Sequence, residues 1–195
     1  MSLMDLVSQQ LGSEQVSKLA SHVGASNEQT ENAIGMALPT LIAALAKKAD
    51  DDGGVDEIES SLSEQDDHML DNVASAISGG GGEVQNIQAL GGGLLGNILG
   101  GRQGNVESGI GKAAGLSGGQ VSSLLAMLAP MVMGALSQKK KESGSDLGGM
   151  LKGEKQAIEK QATGGLLAGL LDQDGDGDFD VSDVMKIGMS KFFGK

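Results

Sequence analysis

The chain has 195 residues, 33 glycines, no cysteine and 26 acids against 14 Lys and Arg, for a net charge of −12. The missing cysteines exclude disulfides, thiolate zinc centres and cysteine nucleophiles, and an acidic balance without a basic, aromatic-interleaved stripe argues against nucleic acid as a partner. Phe179, Phe192 and Phe193 are the only aromatics, so the first 178 residues must be packed by Leu, Ile, Val, Ala and Met, as suits helices in close contact.

The opening Met1-Ser-Leu-Met-Asp-Leu-Val has no basic segment followed by a long apolar run, so no secretory signal is expected and a cytoplasmic location is. Val16, Leu19, Ala20 and Val23 recur at helical spacing. Ser26-x-x-Gln29 then forms a capping box, in which serine oxygen accepts from the third amide and glutamine reaches back. Beyond it Ile34, Leu38, Leu41, Ile42 and Leu45 are apolar nearly all the way round a helix, as expected of a buried one. Asp50-Asp-Asp-Gly-Gly54 is acidic, but its carboxylates are adjacent rather than alternating, which fits a solvated turn better than a metal site. Met69, Leu70, Val73, Ala74 and Ile77 predict an amphipathic helix that stops at Gly79–Gly82. Gly92, Gly96 and Gly100 place small residues on one helix face and predict close backbone contact there.

Much of this pattern recurs at an offset of 115 − 24 = 91 residues: Gly24/Gly115, Ser26/Ser117, Gln29/Gln120, Met36/Met127, Pro39/Pro130 and Lys48/Lys139 all match. A second echo pairs Gly92–Leu95 with Gly164–Leu167, so the first copy carries an insertion. Leu116 and Val121 sit where a hydrophobic staple would flank the second box. The two prolines lie 13 residues past their caps, too deep for a first turn, and are expected to kink or split their helices. The longest apolar runs, Ala33–Ala46 and Leu124–Leu136, each carry a proline and are too short to span a bilayer. No strand-like alternation bounded by hairpin turns occurs, so the expected fold is all-α. Residues 1–171 form a helical body of two related units, about 11–101 and 102–171, packed as one bundle; 172–195 form a single EF-hand-like helix-loop-helix.

That last segment carries the most specific motif. Asp172, Asp174 and Asp176 fall at positions 1, 3 and 5 of a twelve-residue loop, with Gly177 at 6, Asp178 at 7, Asp180 at 9 and Asp183 at 12. Calcium takes six to eight oxygens at about 2.3–2.6 Å, so a curled loop must supply them from alternate residues, with glycine at the sharp turn and a main-chain carbonyl at position 7. The predicted metal residues are therefore Asp172, Asp174, Asp176, Asp178, Asp180 and Asp183, with Ca2+ as the ion and Mg2+ as the alternative. Asp183 stands where a glutamate binding through both oxygens is usual, which opens selectivity between the two. After the loop Val184, Met185, Ile187, Met189, Phe192 and Phe193 offer an apolar surface for a protein partner or for self-association.

The proline-centred repeat, the Gly-Gly-Gly-Leu-Leu-Gly-Asn-Ile-Leu-Gly-Gly stretch at 91–101, Ala-Pro-Met-Val-Met-Gly-Ala-Leu at 129–136 and the closing Asp-Gly run together resemble a bacterial group. The chain is similar, from about residue 10 to 183, to the domain-of-unknown-function family numbered 937, related to YidB-like proteins. The resemblance implies an all-α domain and brings no activity with it. Three functions follow as expectations. The first is a non-catalytic calcium-binding helical protein whose ion orders the C-terminal helix. The second is a scaffold or interaction module with an incidental metal loop. The third is an enzyme, the weakest of the three, because His22 and His68 are the only histidines and neither lies in a catalytic or phosphate-binding motif.

Overall fold

The computed structural model describes residues 1–163 apart from 64–67, 80, 81 and 145. The predicted metal loop, the helix after it and the echo at Gly164–Leu167 lie outside the described residues. Regular structure among the described residues is entirely helical: α1 (Leu3–Gln10), α2 (Ser13–Val23), α3 (Asn27–Asp50), α4 (Gly54–Ser63), α5 (Met69–Gly79), α6 (Gly82–Leu99), a 3-10 turn (Gly100–Arg102), α7 (Gln103–Ala114), α8 (Gly118–Ser143) and α9 (Leu147–Thr163).

The repeat in the sequence is matched in the backbone. Helices α2 and α7 end on glycines in the left-handed region, Gly24 at φ 69° and Gly115 at φ 71°, a conformation open to glycine without steric strain. Two residues later the chain is extended at Ser26 and Ser117, and both predicted capping boxes are formed. Leu116 and Val121 are both buried, as a staple requires. Between α3 and α6 the chain has α4 and α5, whereas α9 follows α8 almost directly. Each copy crosses to the other: α6 makes its main contact with α8, and α9 makes its main contact with α3. One apolar core therefore draws on residues from Leu3 to Ile158.

Pro39 and Pro130 lie inside α3 and α8, and both helices run through them unbroken, so the expected split does not occur. Both prolines are buried in the most apolar part of their helices, where tertiary packing outweighs the missing backbone bond. Among the described residues α8 is the one helix long and apolar enough to cross a membrane by length and composition, and 78% of that apolar window is buried within the protein.

A proline frees the carbonyl four residues before it, and the two copies deal with this differently. Gly35, ahead of Pro39, is exposed, so water can reach its carbonyl. Ala126, ahead of Pro130, is buried, and α6 closes on it: a Cβ added to Gly91 would lie 1.6 Å from the Ala126 carbonyl oxygen. The Gly91 Cα–H thus faces the carbonyl that Pro130 leaves without a donor. The predicted contact face is corrected by one residue, since a Cβ at Gly92, Gly96 or Gly100 would meet nothing within 4 Å. Spacing alone selected the exposed glycines of α6; only the docked partner helix distinguishes Gly91.

Candidate functional site

The six aspartates of the predicted metal loop, Asp172, Asp174, Asp176, Asp178, Asp180 and Asp183, lie outside the described residues. Among the described residues no group of three or more His, Asp or Glu is placed to hold a metal ion. The Asp50–Asp52 run is the α3–α4 turn: Asp51 caps α3, its carbonyl accepts from Gly54 N at 2.9 Å, and Gly53 takes φ 76°. His22 is exposed in the last turn of α2, beside a recess of about 250 Å³ whose described lining includes Lys18, Leu19, Ile77 and Met127 and no carboxylate. His68 is exposed just ahead of α5.

The seam between the copies is built from the capping boxes themselves. In each, the glutamine Oε1 accepts from the serine amide, at 3.2 Å for Gln29 and 2.9 Å for Gln120. That leaves the side-chain amide free to donate, and it reaches across: Gln29 Nε2 to Gly115 O at 2.7 Å and Gln120 Nε2 to Gly24 O at 2.7 Å. Each box thus also satisfies the C-terminal glycine of the other copy's preceding helix, a role that the spacing inside one box could not reveal.

The buried polar side chains among the described residues are Thr30, Thr40 and Glu154. Both threonines bond carbonyls of their own helix, at 2.9 Å to Ser26 O and 2.7 Å to Met36 O. Glu154, on α9, accepts from Leu3 N at 3.0 Å and pairs with Lys139 at the end of α8. It therefore caps α1 from 151 residues away while neutralising a lysine. The equivalent lysine of the first copy, Lys48, bonds Glu57 at 2.6 Å and the Asn97 carbonyl in the last turn of α6 at 3.0 Å, where a cation suits the negative helix end. Glu154 carries no motif in the sequence, and only the packing of α9 beside α1 assigns it a role.

Among the described residues, α5 and α6 also leave a concave apolar surface between them. Helices α5 and α6 enclose a groove of about 510 Å³ lined by Met69, Val73, Ala76, Ile87 and Leu90, with Asn72 and Asn86 at its polar margin. Leu90 is 44% exposed, and apart from Met1 it is the only large hydrophobic residue so exposed among the described residues.

A family model described as a bacterial protein of unknown function, DUF937, matches residues 5–139. The match takes in both capping boxes, both prolines and the α5–α6 groove, and stops before α9. Comparison with curated proteins and with solved structures found no match.

Proposed function

The chain belongs to this bacterial family of unknown function, DUF937, and on that premise we propose that it is a non-catalytic calcium-binding helical protein whose ion orders the C-terminal segment. The observation that carries the reading is the ligand spacing of Asp172, Asp174, Asp176, Asp178, Asp180 and Asp183 around Gly177. Six carboxylates in twelve residues repel one another unless a cation sits among them. In the helical body the buried polar side chains among the described residues are engaged in structural bonds, Thr30 and Thr40 to carbonyls four residues back and Glu154 to α1 and α8, which supports the non-catalytic half of the reading. The same reading takes the Gly91–Gly101 and Ala129–Leu136 stretches, which resemble those of YidB-like proteins, as support for a member of that kind acting in the cytoplasm.

Calorimetric titration of the metal-free protein with calcium, and separately with magnesium, tests the reading. The expected result is one calcium bound per chain and loss of most binding in Asp176→Ala. An Asp176→Ala isotherm equal to that of the parent protein overturns the assignment.

A further inference from the structure

The α5–α6 groove and the C-terminal segment are complementary in three respects. The groove presents an apolar floor with an exposed Leu90. The segment from Val184 to Phe193, set on a helix, gathers Val184, Met185, Met189, Phe192 and Phe193 on one half of its circumference. Their charges are opposite. No acid follows Asp183, while Lys186, Lys191 and Lys195 do, and residues 69–99 carry Asp71 and Glu83 with no Lys or Arg.

Reach is sufficient. Twenty residues lie between Thr163 and Val184 and extend to about 70 Å, and with the loop closed on an ion residues 164–171 alone extend to about 26 Å. A compact chain of this length has a radius of gyration of about 16 Å.

We infer that the α5–α6 groove is the seat of the chain's own C-terminal segment, residues 184–193, with the Phe192 and Phe193 rings against Ile87 and Leu90. The lysines of that segment meet helices α5 and α6, whose only charged residues are Asp71 and Glu83. This goes beyond the calcium reading and does not depend on it, since none of the loop carboxylates takes part in the seating.

The test uses the full chain. Because Phe179, Phe192 and Phe193 are its only phenylalanines and it has no Tyr or Trp, phenylalanine ring NMR signals, once told apart from the imidazoles of His22 and His68, report on the C-terminal segment alone. Nuclear Overhauser contacts are expected from the Phe192 and Phe193 rings to the Ile87 and Leu90 methyls, in a protein whose amide spectrum is well dispersed. Leu90→Lys, at an exposed position that leaves the core intact, is expected to abolish these contacts and move the rings towards random-coil shifts. Absence of the contacts in the folded parent chain, or rings unmoved by Leu90→Lys, overturns the inference. Contacts seen only between differently labelled chains in a mixed sample overturn it in favour of a second copy as occupant. A calcium isotherm of Leu90→Lys reads the metal loop separately, so failure of the seating and failure of calcium binding are distinguishable.

Discussion

Gln29 donates its side-chain amide to the Gly115 carbonyl at 2.7 Å, across 86 positions of the chain, and Gln120 returns the same bond to Gly24 at 2.7 Å. The pair explains why both boxes end in glutamine. A glutamate at the third helical position would accept from the serine amide equally well, but it has no proton to give the opposing glycine carbonyl. Gln120→Glu is therefore expected to keep its own box and lose the bond between copies, setting two acceptors against each other. The expected destabilisation is about 0.5–1.5 kcal/mol by urea denaturation at neutral pH. For an isolated helix the same change adds an acid to the first turn and stabilises, so the sign of the effect separates the two roles.

Gly91 and Gly92 are neighbours on α6 with opposite expected behaviour. Ala at 91 would put a methyl 1.6 Å from the Ala126 carbonyl oxygen, on backbone that cannot swing aside. Separating α6 from α8 opens the helix contact that dominates the core, so a loss of about 3 kcal/mol or more is expected. Gly92→Ala meets nothing within 4 Å and replaces a poor helix former by the best one, for a gain of about 0.5–1 kcal/mol. Denaturation midpoints of the two variants check both signs.

These two cases also mark what is legible in one sequence. Helix spans, both boxes, the burial of Ile34, Leu38, Leu41, Ile42 and Leu45 and the stop at Gly79 are local properties, read from spacing and cap chemistry. Which glycine of α6 touches a neighbour depends on a carbonyl 35 residues away that Pro130 has freed, and no local pattern encodes that. The same holds for Glu154, whose partners at Leu3 and Lys139 belong to other helices. The prolines were legible as positions, but the split they could have caused does not occur, because the packing that carries α3 and α8 through them comes from other helices. The six loop aspartates were legible as a ligand pattern, and that pattern is still what carries the calcium reading. The α5–α6 groove was not foreseen, since a groove is the space two helices leave between them.

At the N-terminus, Ser2 and Asp5 form a third box, with Ser2 N donating to Asp5 Oδ2 at 2.9 Å and Asp5 N to Ser2 Oγ at 3.0 Å. The bonds to the Ser2 backbone amide and then to its hydroxyl hold the Asp5 carboxyl below its ordinary value of 3.8. A depressed carboxyl in the folded state stabilises fully above the unfolded value and loses that contribution as pH falls through the folded one. Carbon-detected titration is expected to show Asp5 ionising below 3.8 in the parent protein and returning towards it in Ser2→Ala, with fraying of α1 setting in at higher pH in that variant.

Glu154→Ala removes an acceptor from Leu3 N and leaves Lys139 without its buried partner. Lys139 keeps some exposure and can rehydrate, so the expected loss is about 1–3 kcal/mol rather than that of a fully buried pair. Faster amide exchange in Leu3–Gln10 than in α8 is the specific signature, because the carboxylate acts as a cap supplied by α9 to α1.

The extent of the folding unit can be tested by two truncations. A chain ending at Leu171 keeps all nine α-helices found among the described residues and their core cluster from Leu3 to Ile158, while shedding the six loop aspartates. It is expected to remain helical by circular dichroism and to melt cooperatively, with or without calcium. A chain ending at Ser143, just past the family match, is expected to behave differently. It keeps both boxes and both prolines but loses α9, and with it the buried Leu147 and Leu151 and the main partner of α3. Burying each leucine contributes about 1.5–3 kcal/mol, and Glu154 goes too, so the shorter chain is expected to lose its cooperative transition or melt far lower. If it melts like the longer one, α9 is an appendage and the core ends with α8. If the chain ending at Leu171 is itself unfolded, residues 172–195 belong to the core, and the division between body and metal segment falls.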